Sequence, residues 1–202
     1  MPHVLKLCAL LAVVAMPALA DAPFAPPTPM LNPDGIKPGA KTLAQTFSLN
    51  GIDGTLEKTT FAQVQKRFGG QLRRQGDASG SLAWLCYDLP ERHLRVWLSA
   101  GELHVHEGRI DSVTIWSVTS PANSAECPVP SGPQSAQIDG ISPGQPWAAT
   151  QARLGTPGTA HDGWAAYHYA GKIGAYDRED YMVMKIDNGA VTQLEAWRTT
   201  TN

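Results

Sequence analysis

The sequence predicts an α+β protein made of two tandem helix-plus-antiparallel-sheet units, able to share one continuous curved sheet. Three observations predict it. A segment at residues 52–69 recurs at 138–155, the apolar period changes from helical to two after each copy, and turn residues separate the period-two runs.

The chain opens with Lys6, an apolar run over residues 7–16, and Pro17-Ala18-Leu19-Ala20 before Asp21. A short charged start, an apolar stretch too brief to span a bilayer and an A-x-A site together predict a signal peptide over residues 1–20, cleaved after Ala20. The mature chain is therefore expected in the periplasm or secreted, with no membrane span. Cys8 lies inside the apolar run, so the cleavage region offers no cysteine to carry a lipid. Residues 21–47 contain Pro23, Pro26, Pro27, Pro29, Pro33 and Pro38 and no apolar periodicity. Proline lacks the N–H that a helix or central strand requires, which predicts an extended arm.

The first unit is placed at residues 48–118. Laid without a gap, residues 52–69 and 138–155 share Ile, Asp and Gly at the start, then Ala62/Ala148, Gln65/Gln151, Arg67/Arg153 and Gly69/Gly155. Phe61, Val64 and Phe68 fall at i, i+3 and i+7 and make one apolar stripe, so each copy predicts a helix of about two turns. Thr60 is placed to cap the first helix and Pro146 to open the second, while Gly69 and Gly155 stand where a left-handed cap ends a helix. The shared Ile-Asp-Gly is read as a turn, with Asp53 and Asp139 accepting local backbone hydrogen bonds.

Strands follow at residues 82–87 and 94–98 in the first unit, and at 164–169 and 181–186 in the second. Asp187-Asn188-Gly189 is a hairpin signal, answered in the first unit by Glu107-Gly108. The closing strands run over 108–116 and 189–197, ending on Trp116 and Trp197. A connector at residues 119–136, rich in Ser, Pro and Gly, leads to the second unit at 137–202.

Cleavage would leave Cys86 and Cys127 as the two cysteines of the mature chain. In an oxidising compartment such a pair reads as one disulfide, fastening the connector to the first sheet. Lys and Arg number 16 against 18 Asp and Glu, a formal charge of −2. Losing Lys6 moves it to −3. No basic cluster forms a footprint for nucleic acid.

A glycine-ended short helix followed in the second copy by Thr156-Pro157, an aromatic strand, and a strand-Asp-Asn-Gly-strand hairpin resemble the BamE/SmpA repeat. That repeat in tandem is similar to the β-lactamase inhibitor protein (BLIP-like) fold, over about residues 48–118 and 136–199. The resemblance implies a non-enzymatic binder that uses a sheet as its contact surface, its partner a secreted hydrolase or an outer-membrane assembly component. Two copies and the lack of a lipid-bearing cysteine depart from the first group, and a single strand-to-connector disulfide departs from the second.

Three sets of residues bear on function. Tyr167, Tyr169 and Tyr176, with residues 171–180 read as a loop, are candidate partner contacts, since tyrosine anchors interfaces through apolar area and a polar tip. Glu102, His104 and His106 alternate with Leu103 and Val105, so a strand there would align two imidazoles and a carboxylate as ligands for Zn²⁺ or Cu²⁺; a solvated strand face is the plainer reading. No serine sits on a G-x-S-x-G elbow, and no phosphate loop or dinucleotide fingerprint occurs. The expectation is a cell-envelope protein-binding module, an inhibitor or immunity-type protein or an assembly factor, without catalysis or cofactor. The alternatives are a periplasmic metal-binding protein and an enzyme of unrecognised type.

Overall fold

The computed structural model describes residues 24–27, 35–39, 42–43, 45–77, 80–105, 107–119 and 124–202. The expected signal peptide lies outside them. Among the described residues, no helix is long and apolar enough to cross a membrane.

Strand β1 (Thr46–Leu49) turns through Asn50-Gly51 into β2 (Ile52–Thr55). Both turn residues have positive φ, 46° and 81°, the backbone that Asn-Gly adopts with little strain. Helix α1 (Phe61–Phe68) starts on a full capping box. Thr60 accepts from the Gln63 backbone, while the Gln63 side chain accepts from the Thr60 backbone. Its apolar stripe buries Phe61 and Val64.

The chain continues through β3 (Arg73–Gln75), β4 (Leu82–Leu89), β5 (Leu94–Ala100), the short helix α2 (Glu102–Val105) and β6 (Ser112–Ser117). The connector then gives β7 (Ala136–Ile138), which pairs with β1. Helix α3 (Trp147–Leu154), β8 (Thr159–His161), β9 (Trp164–Ile173), β10 (Tyr176–Asp187) and β11 (Ala190–Thr201) complete the chain.

The result is an α+β fold dominated by antiparallel sheet. Eight strands form one sheet in the order β3-β4-β5-β6-β11-β10-β9-β8, and β2-β1-β7 form a second, smaller one. Read inward from either edge of the large sheet, the strands run in sequence order, and β6 meets β11 at the middle. One face of that sheet carries Leu85, Tyr87, Val96, Leu98, Ile115, Met182, Met184 and Leu194. These pack with Phe47, Leu49, Phe61 and Val64 into the main core.

Several expectations change. Ile52-Asp53-Gly54 is a strand, whereas Asp139-Gly140 is a turn with φ of 46° and 71°. The turn's counterpart is Asn50-Gly51, three residues earlier than the ungapped repeat places it. Asp53 is exposed. Asp139 accepts not locally but across the small sheet, from the backbone N–H groups of Gln45 and Thr46 and from the Thr46 hydroxyl. The segment read as a strand at residues 102–106 is a helical turn over Glu102–Val105, which separates Glu102 from His104 around the axis. The arm's end is part of the fold, because Thr46 and Phe47 lie in β1.

The glycine caps also differ from the left-handed form. Gly69 has φ 70° and ψ −146°, and Gly155 has φ 88° and ψ −161°. This region is open almost only to glycine. Cys86 and Cys127 form the expected disulfide, with Cα atoms 4.6 Å apart, so the connector is fastened to β4.

Candidate binding surface

Antiparallel registers decide which side chains share a face. Cys86 lies opposite Trp97, Arg95 opposite Trp116, Trp116 opposite Gln193, and Trp197 opposite Tyr181, which is opposite His168; Lys185 lies opposite Trp164. With the period of two along each strand, these pairs put Trp84, Trp97, Trp116, Trp164 and Trp197 on the face turned away from the helices. Five of the chain's 6 tryptophans therefore line one surface.

The aromatic side chains form two groups. Trp97 and Trp116 meet edge to face at 5.7 Å between ring centres. His168, Tyr181 and Trp197 stack across β9, β10 and β11 at 4.2 and 4.7 Å. Cations border both groups, with the Arg95 guanidinium 5.9 Å from the Trp97 ring and the Lys185 ammonium 4.8 Å from the Trp164 ring.

The chain's own arm lies on this face at two places. Phe24 and Ala25 pack against the cluster of Trp84, Cys86, Trp97 and Cys127, and the Trp97 indole N–H donates to the Phe24 carbonyl at 3.0 Å. Ile36, 4% exposed, packs with Ala166, Tyr181 and Val183. Gly39 N–H donates to the His168 carbonyl at 2.7 Å.

The three candidate tyrosines separate. Tyr167 is buried and donates its hydroxyl proton to the Gly155 carbonyl at 2.9 Å; burial pushes its phenol up to about 12. It is a core residue that fixes the end of α3. Tyr169 is half-buried against the core, with the Arg178 guanidinium 5.5 Å from its ring. Tyr176 is 49% exposed and stands directly across from Ile173, itself 44% exposed. Residues 171–180 are no loop. They are the ends of β9 and β10 around a two-residue turn at Gly174-Ala175.

His104 joins Tyr176 in one place. A cleft of about 580 Å³ is lined by Glu57, His104, Arg109, Ile173, Tyr176 and Thr200, among others. At its base the His104 ring lies between two carboxylates, Nε2 at 3.4 Å from Glu57 and Nδ1 at 3.4 Å from Asp111. The hydrogen bond to Asp111 raises the imidazole pKa above its usual value, helped by the charge of Glu57 and opposed by burial. The two carboxylates address different ring nitrogens, so the three groups do not converge on one ion. Glu102 is exposed and outside this cleft. His106 lies outside the described residues, and among those described no group of three or more His, Cys, Asp or Glu is arranged to hold a metal. The E-x-H-x-H strand expected as a metal site is not present as a strand.

No family model matches the chain, and no curated protein does. Among solved structures, a Streptococcus mutans protein proposed to be a β-lactamase inhibitor protein is similar over 71% of this chain and 83% of its own, at 10% identity and a TM-score of 0.25. A superposition that loose carries no argument about fold or function. The resemblance to the BamE/SmpA repeat stands on the motifs alone.

Proposed function

We propose that the protein is an exported, non-catalytic protein-binding module of the cell envelope, built from a duplicated helix-plus-sheet unit. Its partner is a secreted hydrolase that it inhibits or an envelope assembly component. One observation carries this reading. Ile173 and Tyr176, cross-strand neighbours at the tip of the long β9–β10 hairpin, hold large apolar side chains in solvent at the mouth of a cleft.

An exposed apolar pair costs solubility and adds nothing to the core, so it is best explained by a surface that a partner covers. Tyrosine adds a hydroxyl that can bond across the interface, and a two-stranded hairpin holds both side chains with little entropy to lose. The disulfide and the expected leader fit an oxidising compartment.

The test is capture from envelope extract and culture fluid with the chain from Asp21 onward, beside an Ile173→Ser/Tyr176→Ser variant. The expected result is a stoichiometric protein held by the wild type and lost with the variant. Equal capture by both, or none by either, would overturn the assignment.

A further inference from the structure

We infer that residues 24–27 and 35–39 act as an intramolecular ligand of the tryptophan face, and that this face receives an extended, proline-bearing apolar peptide segment from a partner when the arm is displaced. The identity of such a partner rests on the protein-binding reading above; the seating of the arm does not.

The contacts themselves indicate the ligand class. Most polar contacts of the arm use its backbone: the Phe24 carbonyl accepts from Trp97, the Gly35 carbonyl accepts from the Thr159 hydroxyl at 3.3 Å, and Gly39 N–H donates to His168. The Ile36 carbonyl lies 3.2 Å from His168 Nδ1. Any extended peptide presents the same groups. Prolines at 26, 27 and 38 suit it, because an indole that donates to a carbonyl does not need a peptide N–H in return. Side-chain selection falls on two positions. The Phe24 ring sits under the Arg95 guanidinium at 4.8 Å, and Ile36 fills the second apolar group.

The sheet is shaped for a backbone to pass. At Gly158 a side-chain carbon would lie 2.2 Å from the Lys37 carbonyl oxygen, so only glycine lets the arm come this close. The described residues of the arm leave the surface incompletely satisfied. Among the described residues, Trp116 Nε1 and His168 Nε2 are buried on the same face without a hydrogen-bond partner. A buried donor without an acceptor weakens the arrangement that leaves it so. A segment offering one more carbonyl beside Trp97 would satisfy Trp116 as well, which gives an external peptide an advantage over the arm.

The experiment uses the chain from Asp21 to Asn202, ¹⁵N-labelled, as wild type and as a Phe24→Ser/Ile36→Asp variant that loosens the arm. The probe is a synthetic peptide with the sequence of residues 21–39. Its binding is followed by the indole N–H resonances of Trp97 and Trp116. The variant should bind the peptide at least about tenfold more tightly than the wild type, because the intact arm leaves only a fraction of molecules competent. A peptide carrying the same two substitutions should not bind.

Equal affinity of both chains, or no indole response at saturation, would overturn the inference. Should the variant lose its dispersed spectrum, the wild type alone decides: displacement at high peptide concentration supports the arm as a ligand, and its absence overturns it. Peptide binding with no capture of an envelope protein overturns the proposed function and leaves the arm as a ligand. Capture without peptide binding overturns only the inference.

Discussion

Tyr167 donates its hydroxyl proton to the carbonyl of Gly155, and Tyr87 does the same to Gly69 at 2.7 Å. Each bond ties a strand of the large sheet to the glycine that ends a helix, once in each half of the fold. The glycines have the positive φ and extended ψ that leave their carbonyls facing the sheet. Tyr167→Phe and Tyr87→Phe should each lower stability by about 1 kcal/mol, the usual net worth of such a bond. Urea denaturation checks this. In an absorbance titration, Tyr167 should remain protonated until the pH nears about 12, and burial holds Tyr87 up as well.

Asp139 and Asp53 align in the ungapped repeat but do different work. Asp139→Ala removes the acceptor for two backbone N–H groups and one hydroxyl, which predicts a loss of about 1–3 kcal/mol. Asp53→Ala, at an exposed position of β2, should change stability by less than about 0.5 kcal/mol. Thermal unfolding of the two variants side by side distinguishes them.

His104 makes stability depend on pH. With both ring nitrogens protonated, it can donate to Glu57 and to Asp111; neutral imidazole has one N–H and can serve only one of them. Its pKa is raised in the fold from the ordinary 6.5. The contribution is therefore fully present below that ordinary value and is lost as pH rises through the higher folded value. The melting temperature should fall over that interval, and His104→Gln should flatten the profile. An NMR titration placing the imidazole at or below its ordinary pKa would contradict this.

Gly54 is held by a ring. A side-chain carbon there would lie 2.2 Å from the Phe47 ring, its cross-strand partner in β1. Gly54→Ala should cost about 1–3 kcal/mol through overpacking, and the double variant with Phe47→Leu should recover part of it. Chemical denaturation of the three variants measures the coupling.

Removing the disulfide by Cys86→Ser/Cys127→Ser opens a loop with a separation of 41 residues. The loss should be about 3–4 kcal/mol. Because Phe24 and Ala25 pack on the same cluster, the Trp97 indole resonance should move as well.

Local chemistry made much of the fold legible. Thr60, the stripe of Phe61 and Val64 and the terminal Gly69 place α1 within a residue. Asn188-Gly189 places the β10–β11 turn. The same signal at Asn50-Gly51 would have found the β1–β2 hairpin, which was hidden by assigning residues up to 47 to the arm. The helical turn at Glu102–Val105 was illegible, because four alternating residues fit either period, and His104 is held by Asp111 and by Glu57, the latter from a distant part of the chain.

The candidate site was less legible than the fold, for a definite reason. Period two tells which residues of one strand share a face, but not which faces of different strands coincide. Tyr167 and Tyr176 looked alike in sequence, yet one lies under α3 and the other at a hairpin tip. The sequence alone indicated the Thr60 cap of α1, the apolar periods, the Asn188-Gly189 turn and the Cys86–Cys127 pairing, since each depends on neighbouring residues or on few cysteines to choose from. The tertiary fold set five tryptophans from five strands on one surface, packed described residues of the arm on it at two places, and brought His104 and Tyr176 to one cleft. Those relations depend on strand order and register, which are fixed only when the whole sheet closes on its core.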